Sequence, residues 1–266
     1  MIIHLISVCC TYFIAIKKNE GNPLDSLILS SYTPLLPPQG RYYADPFLLK
    51  YEGINYLFFE NYDYKKGVIS YVQIDPEGHF TEPKLALELP THLSFPFVFQ
   101  EENEIYMIPE TYQRRSVSLY KCKTFPNQWE WCRSLIHGER FSDPILFKHG
   151  GLYWLFTAIR GDQLCIYYAE SLDAKFRPHP INHRHIRGRN AGPVFLQSGR
   201  LIRPTMDCRE YYGKAVILKE ILLLTTEEFV EREVLYIGPD WAPNLVGTHS
   251  FCLNPDYLAY DGNFYQ

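Results

Sequence analysis

The chain has 266 residues, a net charge of −4 and an aromatic content of 16%, with 21 Tyr and 17 Phe. This length can bury a core without disulfide or metal support, and the slightly acidic balance without a basic stripe excludes nucleic acid as an expected partner. The aromatic richness favours β-strands. It also suits sugar recognition, because aromatic rings stack on pyranose faces.

The first 16 residues are apolar and end at Lys17-Lys18, so a signal or anchor segment has to be considered. No basic region precedes the run, no A-x-A site follows it, and it is short for a membrane span. We therefore expect no membrane span and predict a β-strand over residues 12–17. Seven scattered cysteines without a C-x-x-C pair are typical of free thiols in a reducing compartment, so we expect a cytoplasmic protein.

Four similar segments follow along the chain. They are ADPFLLKYEGINYLFFEN from Ala44, SFPFVFQEENEIYMIPET from Ser94, SDPILFKHGGLYWLFTAI from Ser142 and AGPVFLQSGRLIRPTMDC from Ala191. Their anchor prolines, Pro46, Pro96, Pro144 and Pro193, are separated by 50, 48 and 49 residues. A regular period of this length is typical of propeller blades, whereas a β-sandwich with accidental similarity would not explain four even spacings.

Each unit has a strand after the proline, a polar turn and a second aromatic strand, which is the pattern of a β-hairpin. A third strand is indicated by GVISYVQI, SVSLYKC, LCIYYAES and KAVILKEI, and a fourth around residues 84–89, 129–135 and 233–237. A last unit from Gly247 keeps the hairpin but lacks the proline. We expect residues 12–40 to supply an outer strand that closes the ring, and one short helix at residues 226–231.

The sequence therefore predicts an all-β fold, a five-bladed β-propeller of four-stranded antiparallel blades. We expect a single domain over residues 1–266. Its blade anchors lie near residues 45, 95, 143, 192 and 249.

The register of the hairpins makes a further prediction. The residue before each proline starts the inner strand and the residue 14 after it ends the second strand, so both lie at the same end of the hairpin. Five carboxylates occupy these positions: Asp45, Glu60, Glu110, Asp143 and Asp207. Blade symmetry gathers them at one mouth of the channel, where carboxylates bind a cation or split their pKa values for acid/base work. Any one alone could be a turn residue facing water, but Asp45 and Asp143 together favour a functional site.

Three other features accompany this ring. Ten residues after the prolines, three blades carry an aromatic residue and the fourth carries Arg203, which needs either a structural ion pair or an anionic substrate group. His249 lies near the start of the last inner strand and could hold a water, a cation or a carboxylate. Residues 179–190 are predicted as an exposed loop overhanging the pocket. Its basic patch, which could meet an anionic ligand, consists of Arg184, Arg187 and Arg189.

The motifs ADPF, IPE, RP-x-x-D and G-T-H resemble the N-terminal propeller domain of plant glucosamine inositolphosphorylceramide transferases and its bacterial relatives. The resemblance covers nearly the whole chain from residue 12, and that domain is similar to the five-bladed propellers of glycoside hydrolase family 43. It implies that Asp45 is a general base and that Asp143 tunes pKa values. The family 43 acid motif E-G-P reads Ala191-Gly192-Pro193 here, so Glu110 or Asp207 would have to supply the acid.

The resemblance implies a carbohydrate-active protein whose ligand is a saccharide or glycolipid. The expected catalytic residues are Asp45, Asp143, Glu110 and Asp207, and the expected substrate contacts are Arg203, Glu60, His249 and Tyr212. No metal ligand set is assigned, although a divalent cation such as Ca²⁺ could lie on the axis. The alternative is a non-catalytic glycan- or glycolipid-binding module that partners a glycosyltransferase, which the missing E-G-P acid favours. A protein-interaction propeller is a third reading.

Overall fold

The structure is a computed structural model that describes residues 10–21, 23–24 and 27–265. The described strands form five antiparallel sheets, which are the five blades of a β-propeller. The predicted fold class is therefore confirmed. The apolar residues 1–9 lie outside the described residues.

The strands are numbered in chain order. The first two, β1 (Cys10–Lys18) and β2 (Thr33–Leu35), belong to blade five. Blade one contains β3 (Tyr42–Tyr51), β4 (Ile54–Tyr62), β5 (Gly67–Ile74) and β6 (Lys84–Leu87). Blade two contains β7 (Ser94–Glu101), β8 (Glu104–Glu110), β9 (Ser116–Thr124) and β10 (Gln128–His137). Blade three contains β11 (Ser142–His149), β12 (Leu152–Ile159), β13 (Gln163–Ala169) and β14 (Arg177–Pro178). Blade four contains β15 (Phe195–Gln197), β16 (Arg200–Asp207), β17 (Ala215–Leu224) and β18 (Phe229–Ile237). Blade five is completed by β19 (Leu245–Gly247), β20 (Phe251–Leu253) and β21 (Tyr257–Tyr265).

Blade five joins the two ends of the described chain. β1 pairs antiparallel with β21, from Cys10 opposite Tyr265 to Lys18 opposite Tyr257, and β2 pairs with the other edge of β1. This arrangement confirms the predicted first strand and the expected closing strand. The ring is closed by backbone hydrogen bonds between β1 and β21, at the two ends of the described part of the chain.

The apolar run of β1 follows from its position between two blades. Phe13 and Ala15 pack into the core shared with blade four, whereas Ile14 and Ile16 pack into the core shared with blade one. Successive side chains of a strand point to opposite faces, so a strand that is covered on both faces reads as an unbroken apolar segment.

A bulge interrupts the inner strands of blades one, two and three at the anchor prolines. Asp45, Phe95 and Asp143, each one residue before a proline, have φ values of 53°, 45° and 49°. The pairing register slips at the same points. Left-handed backbone is uncommon for residues with a side chain, and a bulge changes the direction in which a side chain points. The bulges therefore determine the directions in which the side chains of Asp45 and Asp143 point.

The helix predicted at residues 226–231 is wrong. Between β17 and β18 the hydroxyl oxygen of Thr225 accepts hydrogen bonds from the backbone N–H groups of Glu227 and Glu228, and β18 begins at the buried Phe229. The turn chemistry of threonine and the burial of the phenylalanine outweigh the helix propensity of two glutamates.

Helix is confined to short 3-10 turns in the described chain. These are Tyr112–Arg114, Pro180–Arg184 and Pro239–Trp241. Among the described residues, no helix has the length and apolar character that crossing a membrane requires.

Aromatic side chains fill the spaces between neighbouring blades. The rings of Phe47 in blade one and Phe95 in blade two meet edge to face with centroids 4.8 Å apart. Phe156 in blade three and Phe229 in blade four form a similar pair at 5.5 Å. Such pairs contribute about 1 kcal/mol each beyond their buried area, which accounts for the aromatic richness of the sequence.

Candidate functional site

The strand ends of blades one, two, three and five bring buried titratable side chains together, and a loop adds an arginine. We call this group the central cluster. Its members are Asp45, Glu60, Glu110, Asp143, Arg189, His249 and Asp261. None of its carboxyl residues is more than 8% exposed. The charges of Asp45, Glu110, Asp143 and Asp261 all act on Glu60, so the group forms one electrostatic unit. Four of the five predicted carboxylates are thereby brought together.

Asp45 of blade one is held by groups from the two neighbouring blades. Its Oδ1 accepts a hydrogen bond from the Ser250 hydroxyl at 2.8 Å, and its Oδ2 accepts one from the Phe95 N–H at 3.2 Å. Burial raises the pKa of Asp45 to about 6, although the nearby charge of His249 opposes the rise. Asp45 is therefore largely ionised at neutral pH and takes up a proton in mildly acidic solution.

His249 and Asp261 form a buried ion pair beside Asp45. His249 Nδ1 lies 2.6 Å from Asp261 Oδ2, although the two groups are not aligned for a hydrogen bond, and His249 Nε2 lies 3.7 Å from Asp45 Oδ1. Burial alone would lower the pKa of His249, but the charges of Asp261 and Asp45 outweigh it and raise the pKa to about 9. The imidazole is therefore a cation at neutral pH, and its charge favours the ionised form of Asp45.

Glu110 and Asp143 share one basic partner. Glu110 Oε2 accepts a hydrogen bond from the backbone N–H of Asp143 at 2.8 Å. Arg189 donates through Nε and Nη2 to the Asp143 carboxylate, and its Nη2 lies 3.8 Å from Glu110 Oε2. Burial, followed by the charge of Asp143, raises the pKa of Glu110 to about 8, against the opposing charge of Arg189. Glu110 therefore carries a proton at neutral pH, whereas Asp45 is largely ionised.

Glu60 is the least satisfied carboxyl group of the cluster. Its Oε1 lies 3.2 Å from His92 Nε2, yet the geometry gives this oxygen no hydrogen bond among the described residues. The Nδ1 atom of His92 accepts a hydrogen bond from the Gly67 N–H at 2.9 Å. Burial, followed by the charge of Asp45, raises the pKa of Glu60 well above its usual range. The raised pKa favours the protonated form of Glu60, and its Oε1 is left for a further partner.

Asp207, predicted as a catalytic acid, is placed differently. The Arg209 side chain donates to its two oxygens at 2.8 and 2.9 Å, and these hydrogen bonds lower the pKa of Asp207. The reason for its placement is register. In blades one and two the residue 14 after the proline pairs with the residue two before it, but in blade four Thr205, only 12 after Pro193, already pairs with Asn190. A general acid must hold a proton before it reacts, whereas Asp207 is ionised and paired with Arg209.

Arg203, predicted as a substrate contact, is completely buried and binds protein groups. Its Nε and Nη2 atoms donate to Glu231 at 2.8 to 2.9 Å, and its Nη1 donates to Asn190 Oδ1 at 2.8 Å. This is the structural ion pair that the sequence left open. Asn190 in turn donates to the backbone carbonyl of Asp143 at 2.7 Å. Arg203 therefore positions the loop that carries Arg189.

Blade four offers no carboxyl group where the family 43 acid would stand. Ala191 is completely buried in the apolar core. A Cβ atom on Gly192 would lie 1.9 Å from the carbonyl oxygen of Phe251, so no side chain fits there. Because the E-G-P motif also has a glycine at the position of Gly192, the absence of an acid rests on Ala191 and its place in the apolar core.

An aromatic wall borders the central cluster. The half-exposed Tyr212 packs edge to face on His249, with centroids 5.7 Å apart, and its ring lies 5.1 Å from the guanidinium carbon of Arg189. Tyr12 also packs on His249 at 4.5 Å, and Tyr42 continues the row at 5.6 Å from Tyr12. The wall offers flat apolar surfaces next to the titratable groups.

A pocket of about 290 Å³ opens onto the central cluster, and His92, Glu110, Tyr112 and Arg189 are among its lining residues. A larger cavity of about 820 Å³ lies at the other end of the strands, beside Lys50 and Asp256, and contains no member of the cluster. We assign the candidate site to the smaller pocket, because a concave site with several shifted pKa values is the stronger mark of chemistry.

Asp45, His249 and Asp261 also satisfy the distance requirement for a metal site, since their ligand atoms lie within 4.8 Å of one another. All four oxygens of the two carboxylates already have protein donors or the imidazolium as partners. The three residues therefore need no cation to be satisfied, and the axial Ca²⁺ stays a prediction.

Two members of the cluster were not assigned from the sequence. Asp261 occupies in blade five the place that Glu60 and Glu110 occupy in blades one and two; it lies in the middle of β21, one residue beyond the part of β21 that pairs with β20. The missing proline anchor left the register of that blade undefined, so the aspartate of the YDG sequence went unnoticed. Arg189 was placed in a basic loop patch, but its contact with Asp143 was not foreseen, because a loop conformation has no period from which to read it.

The comparisons with known proteins agree with this architecture. Residues 33–239 match the family model described as "Glucosamine inositolphosphorylceramide transferase 1, N-terminal". The Arabidopsis thaliana protein named glucosamine inositolphosphorylceramide transferase 1 is 36% identical over 209 residues, which cover 73% of this chain. The match covers only 27% of the length of that relative.

Solved structures show the same fold in glycosidases. The catalytic domain of a Coprinopsis cinerea GH62 α-L-arabinofuranosidase superposes with a TM-score of 0.62 and 11% identity, covering 87% of this chain and 95% of that one. An exo-β-1,3-galactanase from Phanerochaete chrysosporium superposes with a TM-score of 0.59 and 13% identity, covering 78% and 56%. At these identities the likeness concerns the fold alone. The length and identity of the sequence matches go further, and they show that the chain belongs to the family of the N-terminal domain of glucosamine inositolphosphorylceramide transferase 1.

Proposed function

We propose that the protein acts on a glycosidic bond bound at the central cluster, with Glu110 as general acid and Asp45 as general base. The observation that carries this proposal is the difference in protonation at neutral pH. Glu110 has a pKa of about 8 and holds a proton, whereas Asp45 has a pKa of about 6 and is largely ionised. Two carboxyl groups whose environments separate their pKa values are the pair that acid/base chemistry requires.

In this reaction Glu110 gives its proton to the glycosidic oxygen as the bond from that oxygen to the anomeric carbon breaks. Asp45 takes a proton from the attacking water or acceptor hydroxyl as the new bond to the anomeric carbon forms. The proton count is thereby conserved. Arg189 and Asp143 set the pKa of Glu110, and the wall formed by Tyr212 and its neighbours supports the sugar ring.

The second candidate is a glycan- or glycolipid-binding module that works beside a glycosyltransferase. It is favoured by the burial of Ala191 in the apolar core, since Ala191 stands at the position of the acid in the E-G-P motif. It also agrees with the name of the Arabidopsis relative, a transferase of which the match covers 27%. On this reading the carboxyl groups hydrogen-bond to sugar hydroxyls and transfer no proton.

Turnover and binding measured on the same panel of glycosides and glycosylated lipids separate the two functions. The variants are Asp45→Asn and Glu110→Gln, with Glu102→Gln in an exposed turn as the control. Loss of turnover in both variants, with saccharide binding and thermal unfolding unchanged, supports the acid/base reading. Binding by the native protein without turnover of any compound removes that reading and leaves the binding module.

A further inference from the structure

The loops that connect the strands differ in charge between the two faces of the propeller. We call the face where the inner strands begin the mouth face, and the one with the hairpin turns the opposite face. Among the described residues, the connections of the mouth face contain twelve Lys and Arg against six Asp and Glu. The basic ones are Arg41, Lys65, Lys66, Arg114, Arg115, Arg140, Arg160, Arg184, Arg187, Arg189, Arg209 and Lys214.

The opposite face has the reverse composition. Its described connections contain eleven Asp and Glu and one basic residue, Lys175. The net charge of −4 for the whole chain therefore hides a difference in charge between the connections of the two faces; the buried carboxyl groups of the central cluster lie in strands and are not part of this count. A charge separation of this kind creates a field that orients the protein as it approaches a charged surface.

The mouth face also carries exposed aromatic and apolar side chains. Tyr64, Tyr112, Tyr211 and Tyr212 each expose 37% to 53% of their surface, and Leu36 exposes 63%. All five lie in mouth-face connections. Tyrosine rings next to arginine and lysine are the composition that settles at the boundary between lipid headgroups and water. A polysaccharide or nucleic acid would explain the charge but not the exposed leucine.

We propose that the mouth face docks on an anionic lipid membrane, with the pocket of the central cluster directed at the lipid headgroups. Basic side chains near such a surface are attracted by its negative potential, and the tyrosines and Leu36 enter the headgroup region. The acidic opposite face is repelled and points away. Docking adds a location to the proposed function, yet it depends only on the charges and exposed side chains of the mouth face.

Sedimentation of the full chain with lipid vesicles tests the proposal without any glycan. Vesicles of phosphatidylcholine containing phosphatidylserine are compared with vesicles of phosphatidylcholine alone, at low and at high salt. The test variant is Lys65→Glu/Arg160→Glu/Arg184→Glu, at three exposed mouth-face positions. The control is Lys18→Glu/Lys123→Glu/Lys175→Glu, which changes the net charge equally at exposed positions toward the opposite face.

Native protein and the control should bind the anionic vesicles and leave them as salt is raised. The test variant should bind roughly a hundredfold more weakly, because each basic residue near the surface contributes severalfold to the partition. Equal weakening in the two variants, or equal binding to uncharged vesicles, would overturn the proposal. Binding to heparin without binding to anionic vesicles would overturn it too, in favour of an anionic polysaccharide. If a variant loses glycoside turnover but still binds the vesicles, the result bears on the proposed function and leaves membrane docking in place.

Discussion

Arg203 and Asn190 are joined by a 2.8 Å hydrogen bond from the guanidinium to the amide oxygen, and this contact links the core of blade four to the site. The same asparagine donates to the carbonyl oxygens of Asp143 and Phe156. Its neighbour Arg189 then reaches the carboxylates of blades two and three. The buried ion pair of Arg203 and Glu231 thus fixes the loop that carries Arg189, and Arg189 is the positive charge next to the carboxyl groups of the site.

Replacement of Arg203 by methionine should lower the free energy of unfolding by about 3 kcal/mol, because Glu231 loses its bidentate partner in a buried place. The double variant Arg203→Met/Glu231→Met should recover most of this loss. Urea unfolding of both variants provides the measurement. A single variant as stable as the native protein would show that the pair does not hold the loop.

The pKa of Glu110, about 8, should respond in opposite directions to its two charged neighbours. Asp143→Asn removes a negative charge and should lower the pKa of Glu110. Arg189→Met removes a positive charge and should raise it. Carbon-detected NMR titration of the glutamate side chains would follow both shifts. A pKa of Glu110 that shifts in the same direction in the two variants would contradict the described contacts.

His249 should make stability depend on pH. Its pKa is raised from 6.5 to about 9 in the folded protein, so its ion pairs contribute fully below pH 6.5 and are lost as the pH rises through about 9. The difference in unfolding free energy between the native protein and His249→Gln should shrink by up to about 3 kcal/mol across this window. His183→Gln, at an exposed position of the Pro180–Arg184 3-10 turn, is the control. A constant difference between pH 6 and 10, as measured by urea unfolding, would refute the buried imidazolium.

Gly192→Ala should destabilise the protein by about 3 kcal/mol or more, because the added Cβ would lie 1.9 Å from the carbonyl oxygen of Phe251. Gly199→Ala is a matched comparison: its φ is 77° but its Cβ would meet nothing within 4 Å. It should cost only about 1 kcal/mol of backbone strain. Thermal unfolding distinguishes the two. Equal losses would mean that the packing of blade five against Gly192 is looser than described.

The even spacing of the prolines was enough to predict the blades, and in blades one to three the X-Pro pair sits at a bulge with similar backbone angles. The same regularity misplaced Asp207, because the hairpin of blade four is shorter and its partner residues meet two positions earlier. Spacing along a sequence reports the repeat, whereas the direction of a side chain depends on local register.

The carboxyl groups of the site were predictable only where the repeat was intact. Asp45, Glu60, Glu110 and Asp143 follow from the anchors of blades one to three, but the partner that charges His249 lies in a blade without an anchor. Burial and mutual charge, which decide the protonation of each group, depend on contacts between blades and cannot be read from periodicity. The cytoplasmic location expected from the cysteines stays a prediction.

The pairing of β1 with β21 also has a consequence for the order in which the protein folds. Contacts between strands that are far apart in the sequence form late, since they close a long loop. Asp261 and His249 come from the last blade, whereas Asp45, which they surround, comes from the first. The site therefore needs residues that lie more than 200 positions apart in the sequence, and its charged core cannot form until blade five has packed on blade one.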